Sequence, residues 1–172
     1  MKNLFVSLSL ILLVAGCSDK ESNTVNQSTA TVTVTDAQLY QLALTTHKAA
    51  FYKNSPDTIP GNSGAAHAGN ILVWYNAKAK DQLDAQGKVK TSPAFADSSL
   101  IVKEIFNASG TKLFYAIMFK LSTASNKGAG DWVWAELNPD GTPFLSAADK
   151  GTACASCHAG GVAYTRMNDA HP

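Results

Sequence analysis

Apolar positions recur along this chain with three different periods, and each period predicts a different kind of segment. Leu4 to Val14 is a predominantly apolar run, too short for the ~20 residues that a membrane-spanning helix needs. Ser18 to Thr35 is dominated by Ser, Thr, Asn and Gln, with no aromatic residue and no spaced apolar face, which predicts a flexible tether. From Asp36 the pattern changes. Leu39, Leu42, Ala43, Thr46 and Ala50 keep the three-and-four spacing of a buried helix stripe, with Asp36 as its cap and Asn54-Ser55-Pro56 as its end. Pro56 to Gly69 reads as a loop, Ile71 to Tyr75 as a strand, and Ala77 to Gln86 as a short helix closed by Gly87.

After a loop through Ser92-Pro93, Leu100 to Phe106, Leu113 to Leu121 and Trp132 to Leu137 read as strands. Each is rich in β-branched or aromatic residues and bounded by turn chemistry. Asn107 to Gly110 suits a hairpin between the first two, and Asn138-Pro139-Asp140-Gly141 a turn after the third. The fold class expected is α+β, an antiparallel β-sheet with a few packed helices. In the second strand Leu113, Tyr115, Ile117, Phe119 and Leu121 share one face, and Phe114, Ala116, Met118 and Lys120 the other. Both faces carry large apolar groups, which suits either a two-layer core or one core face and one face for a flat apolar ligand.

Length and charge narrow the picture only a little. The 172 residues show no internal repeat, and the portion from Asp36 onward fits one domain. The N-terminal run, preceded by Lys2 and followed by Ala15-Gly16-Cys17, has the form of a secretory signal. Val14-Ala15-Gly16-Cys17 resembles a bacterial lipobox, which makes Cys17 the lipidated first residue of an exported chain, anchored at a bacterial membrane and facing the periplasm. The expected division is residues 1–16 as signal, 17–35 as tether and 36–172 as the folded domain. Lys2 is the only charged residue of the signal, so its removal takes one from 14 basic residues and balances the 13 acidic ones. A neutral chain with no basic run is not expected to bind nucleic acid.

The chemistry concentrates in Cys154-Ala155-Ser156-Cys157-His158. Two thiols three positions apart fall on one side of a helical turn, where they can add to the two vinyl groups of a haem, while the adjacent histidine reaches the iron. With Cys17 carrying lipid, Cys154 and Cys157 are the only other thiols. Three competing readings are a short-loop disulfide, a thioredoxin-type redox pair and a zinc site. The first would stabilise little, the second belongs at the start of the main helix of a βαβ unit, and the third needs more ligands than the cluster supplies. The expected cofactor is one covalent haem c, with His158 as proximal iron ligand. The late position of the motif, with only Met167 beyond it as a methionine, argues against the common electron-transfer cytochromes, and the strands from Leu100 to Leu137 against a helical bundle.

Four further pieces carry a resemblance. They are Phe95-Ala96-Asp97-Ser98-Ser99-Leu100-Ile101-Val102-Lys103-Glu104, then Asp131-Trp132-Val133-Trp134-Ala135-Glu136 with Asn138-Pro139-Asp140-Gly141, then the haem motif, then Ala163-Tyr164-Thr165-Arg166. In that order they resemble the cytochrome P460 family, including its cytochrome c′-beta relatives, over most of Gly69 to Arg166. Where the family usually has Asp-Gly after the phenylalanine, this chain has Asp97-Ser98. The resemblance implies a β-rich haem fold and an open or aromatic-capped distal side, with Phe95 as the cap. It implies one of two roles: binding of nitric oxide or a similar diatomic ligand, as in the c′-beta relatives, or hydroxylamine oxidation with Lys103 joined covalently to the porphyrin. The Asp131 to Gly141 block looks more like the c′-beta side.

A third role, electron transfer by a six-coordinate haem, needs a second ligand from Met118, His47, His67 or His171. His67, in a Gly-rich loop, reads first as a solvated side chain, Met118 as core, and Trp132, Trp134 and Glu136, on one face of their strand, as packing. The partners expected are a small diatomic or nitrogen-oxide ligand, a redox partner protein, the membrane through the lipid anchor and a second copy in a homodimer.

Overall fold

The computed structural model describes residues 31–61 and 65–166. The expected signal, lipobox Cys17, Met167 and His171 lie outside the described residues. The first helix, α1 (Asp36–Thr45), is capped one residue earlier than expected: Thr35 Oγ1 accepts from Gln38 N while Gln38 Oε1 accepts from Thr35 N, a reciprocal capping box worth about 1 kcal/mol. Asp36 instead reaches across the molecule, where its carboxylate accepts from Ser146 Oγ and Ala147 N, both at 2.7 Å. The helix is shorter than its spacing predicted. Ala50–Phe51 is a strand, β1, because its backbone pairs with Tyr75 and Trp74. Val32 and Val34, placed in the tether by composition, join the domain: Val32 bridges to Ala124 and Val34 is buried.

β2 (Ile59–Pro60) and β3 (Asn70–Tyr75) form an antiparallel pair, so the expected loop contains a short strand. The helix expected over Ala77 to Gln86 shrinks to α2 (Ala77–Lys80), capped by Asn76, and the chain then turns repeatedly to Gly87. β4 (Leu100–Phe106), β5 (Lys112–Lys120), β6 (Trp132–Leu137) and an unexpected β7 (Pro143–Leu145) complete one antiparallel sheet in the order β1-β3-β4-β5-β6-β7, with β2 beside β3. The α+β class with an antiparallel sheet and few helices is therefore correct.

Register fixes what each face presents. On one face Trp74, Val102, Ile117 and Ala135 lie side by side across four strands, and α1 covers that face with Leu39 and Ala43. Glu104 is buried there, held by Lys48 at 2.6 Å, Lys112 at 2.7 Å and Trp74 Nε1 at 2.8 Å. On the other face run two cross-strand rows, Tyr75-Ile101-Met118-Trp134 and Val73-Lys103-Ala116-Glu136. The second row has a methyl group at its centre between longer side chains, and this leaves a depression in the sheet. Both faces are thus covered, one by α1 and the other by loops and the last helix, α3 (Thr152–His158).

Ser98 takes φ = 70°, the left-handed conformation that a glycine occupies without strain. The turn is held by Ser98 N, which donates to the carbonyl of Lys120, and by Asn76 Nδ2, which donates to the carbonyl of Ser98.

Candidate haem site

The depression opens into a cavity of about 40 Å³, partly open to solvent. Val73, Ile101, Lys103, Ala116 and Met118 form its floor, Trp134 and Glu136 one side, His67 another, and Cys154, His158, Thr165 and Arg166 the roof.

α3 is set over this cavity by local backbone constraints. Lys150 and Gly151 both take positive φ, 54° and 66°, which turns the chain sharply into the helix. A Cβ at Gly151 would lie 2.2 Å from Trp134 Cδ1, so the helix start rests directly on the indole. Cys154 and His158, four positions apart, face the cavity, while Cys157 is exposed. The Trp134 and His158 rings meet edge to face, their centroids 4.8 Å apart.

Beyond α3 a second turn returns to the histidine. Ala163 and Tyr164 take φ of 48° and 64°, uncommon for residues with side chains. Thr165 closes the turn through Oγ1 to the Val162 carbonyl at 2.6 Å, and Trp132 Nε1 donates to the Ala163 carbonyl. This geometry directs the Tyr164 carbonyl at His158 Nδ1, 2.7 Å away. Burial, only partly opposed by that hydrogen bond, brings the His158 pKa down to about 4, so the ring is neutral at physiological pH. A neutral ring bonded to a carbonyl through Nδ1 must carry its proton there, which leaves the Nε2 lone pair free. That is the state a metal-ligating histidine needs, with its second nitrogen held by an outer partner.

Cys154 differs in kind from the reactive thiol of a redox pair. Burial pushes Cys154 up to about 11, with Glu136 and Cys157 adding to the shift, so it is a protonated thiol at neutral pH. A redox-active cysteine at a helix start is displaced the other way, toward thiolate. Among the described residues no group of three or more His, Cys, Asp or Glu side chains converges to hold a metal ion. The donor set therefore fits haem better than a bare ion, since the macrocycle brings four nitrogen donors and asks the protein for one imidazole and two attachment points. Cys154, Cys157 and His158 offer those, and the apolar floor suits the ring.

The other expected site residues divide. Lys103 lines the cavity, with Ile101 and Ile105 on its side of β4 and Val102 and Glu104 opposite, as alternation required. Burial brings its pKa down to about 8, against a smaller opposing effect of Glu136. Phe95 is buried but is not among the residues that line the cavity; its ring packs edge-on to Trp132 at 5.2 Å. His47 is exposed and apart from the cavity.

Three residues read from sequence as solvated or as packing belong to the site. His67 Nε2 lies 2.9 Å from Glu136 Oε1, and its Nδ1 lies 3.5 Å from Lys103 Nζ. Trp134 contacts His158. Strand alternation had already put Trp134 and Glu136 on one face; the missing information was the register that sets Glu136 and Lys103 on either side of Ala116. For His67 no local signal existed, since it is delivered by an aperiodic loop.

The fold and site together define a class: an antiparallel-sheet domain whose last described helix presents one cysteine and a free imidazole to a cavity on one sheet face, with a second cysteine exposed beside them. The chain matches no family model and no curated protein.

Proposed function

We propose that this protein is a mono-haem c-type cytochrome of the P460 type, holding its haem through Cys154 and Cys157 with His158 as axial ligand. The observation that carries the reading is His158 itself, neutral, fixed through Nδ1 and facing an apolar cavity with Nε2 free. Haem bound there would supply an iron that takes a small ligand and changes oxidation state. The chain's part is to fix one axial position, to exclude bulk water with Val73, Ile101, Ala116 and Met118, and to hold ionisable groups beside the ligand. The function that follows is the binding of nitric oxide or a similar diatomic nitrogen-oxide ligand by an exported, lipid-anchored protein.

A second reading, hydroxylamine oxidation, is favoured by one observation. The cavity holds Lys103, His67 and Glu136, so it is not the donor-free pocket expected of simple gas binding. Lys103 at a pKa of about 8 also has a substantial neutral fraction near physiological pH, the form a covalent link to the porphyrin requires. Electron transfer through His67 as second ligand is opposed by the engagement of both of its ring nitrogens.

Optical spectra of the ferric and ferrous protein, before and after addition of nitric oxide, test the proposal. Five-coordinate ferrous iron that accepts nitric oxide is expected. A low-spin six-coordinate spectrum in both oxidation states would reverse it in favour of electron transfer. A strongly red-shifted ferrous Soret band, with Lys103 in the haem peptide, would select the oxidase.

A further inference from the structure

Lys103, His67 and Glu136 come from three separate places, β4, the loop before β3 and β6, and meet in one line. Glu136 Oε1 faces His67 Nε2 at 2.9 Å, and His67 Nδ1 faces Lys103 Nζ at 3.5 Å. The side chains of His67 and Glu136 keep only 16% and 10% of their exposure. A carboxylate, an imidazole and an amine in this order repeat the logic of a nucleophile, a base and a group that orients the base. We infer that His67, oriented by Glu136, is the internal proton acceptor for Lys103, and that the three form a site for covalent capture of a small aldehyde by the Lys103 amine.

The argument is one of charge conservation in a desolvated place. With one proton to place between amine and imidazole, the site has the same net charge whether Lys103 is an ammonium beside a neutral ring or a free amine beside an imidazolium. The second arrangement sets the positive charge directly against the Glu136 carboxylate. The amine therefore becomes nucleophilic without the cavity losing a proton to solvent. The remaining titratable groups lining the cavity are Cys154, His158 and Arg166. Cys154 is protonated and His158 neutral at pH 7, and Arg166 donates to the Cys157 carbonyl at 2.7 Å, so none competes as the acceptor.

The chemistry balances without an oxidant. The Lys103 lone pair forms a carbon–nitrogen bond to the carbonyl carbon, the carbonyl oxygen takes up the proton held by His67 and a second from nitrogen, and water leaves to give an imine. The cavity is small and only partly open to solvent, which limits the class to short aldehydes. The inference does not depend on the haem reading, because the three side chains meet in the chain itself.

The test is reductive methylation of the full-length protein with dilute formaldehyde and cyanoborohydride at pH 7, read by peptide mass at Lys103, with exposed Lys78 and Lys80 as internal controls. Two variants, Glu136→Gln and His67→Gln, are compared with the unaltered chain. By charge alone, loss of the Glu136 carboxylate would speed labelling, because that carboxylate holds the ammonium in place. The relay requires the reverse: labelling at Lys103 slowed about a hundredfold in both variants, the low end of general-base effects, with Lys78 and Lys80 unchanged. Faster or unchanged labelling in Glu136→Gln would overturn the inference, as would a wild-type rate in His67→Gln. If Lys103 is isolated already bearing haem, the yield of that adduct is compared instead, and an equal yield in all three proteins overturns it. The Cys154–Cys157 peptide in the same digest reports haem attachment separately, so failure of the haem proposal and failure of the relay are distinguishable.

Discussion

Lys103 is the residue at which chemistry and stability pull apart. Burial of its ammonium brings the folded-state pKa down to about 8 from an ordinary 10.5. Below pH 8 both folded and unfolded chains are protonated, and folding bears the whole cost of desolvating the charge. Between about 8 and 10.5 the unfolded chain holds the proton and the folded one does not, so stability rises with pH. Above that window the cost is gone. Lys103→Met, similar in length and uncharged, is therefore expected to raise stability at pH 7 by about 2 kcal/mol, reduced from the full linkage value because the side chain keeps some water contact. The gain should fade toward pH 10.5, and denaturant melts of both proteins across that range measure it. A gain that persists at high pH would show that the ammonium is not the source of the strain. The lysine's side of the strand was legible from alternation alone. Its environment was not, since His67 and Glu136 lie 36 and 33 positions away in sequence and only pairing brings them to it.

At the scale of elements, the sheet makes the site by placing one small residue among large ones. Ala116 sits between Lys103 on β4 and Glu136 on β6, and the floor is low there. Ala116→Leu would fill the depression from beneath. We expect the variant to fold, because Ala116 is only partly buried and lines the cavity, and to retain less than half the haem per chain of the unaltered protein when pyridine haemochrome absorbance is compared with protein content. Full haem occupancy in Ala116→Leu would place the cofactor elsewhere. The strands themselves could be read from sequence because β-branched and aromatic runs between turn residues are local signals: β4 and β6 have the expected limits, and β5 is displaced by one residue. The misreadings share a cause. Ala50 continued a helical spacing but lies in β1, Ile59 lay in an aperiodic stretch but forms β2, and Pro143–Leu145 pairs with β6 through an irregular register. In each case pairing with another strand decides the conformation, and spacing within the segment carries no trace of it.

For the whole molecule, the two halves of the chain meet where the site is held. Asp36, at the start of α1, accepts from Ser146 and Ala147, and Asn126 Nδ2 donates to the carbonyls of Val34 and Ala147. The turn that leads into α3 is thus bonded to the opposite end of the domain. The cysteine-histidine helix is a docked element of the fold and not a loose tail, although residues 152–158 themselves contribute no fully buried side chain. A helix held mainly at its start, with Cys157 exposed and Cys154 half-buried, is open to a covalent partner, and that partner would supply the packing α3 lacks. If the haem is attached through both sulfurs, its retention cannot depend on the fold at all. A haem held only by His158 and apolar contact leaves when acid protonates the imidazole and organic solvent dissolves the core, whereas thioether bonds survive both. Acid–acetone extraction of the intact protein is accordingly expected to leave the colour with the precipitated chain, and replacement of both Cys154 and Cys157 by Ser to release it into the solvent. Replacement of Cys154 or Cys157 alone should keep the haem on the chain by the remaining bond. Extraction of the haem from the unaltered protein would show that the cysteines do not hold it, and would leave the cavity and His158 as a non-covalent site.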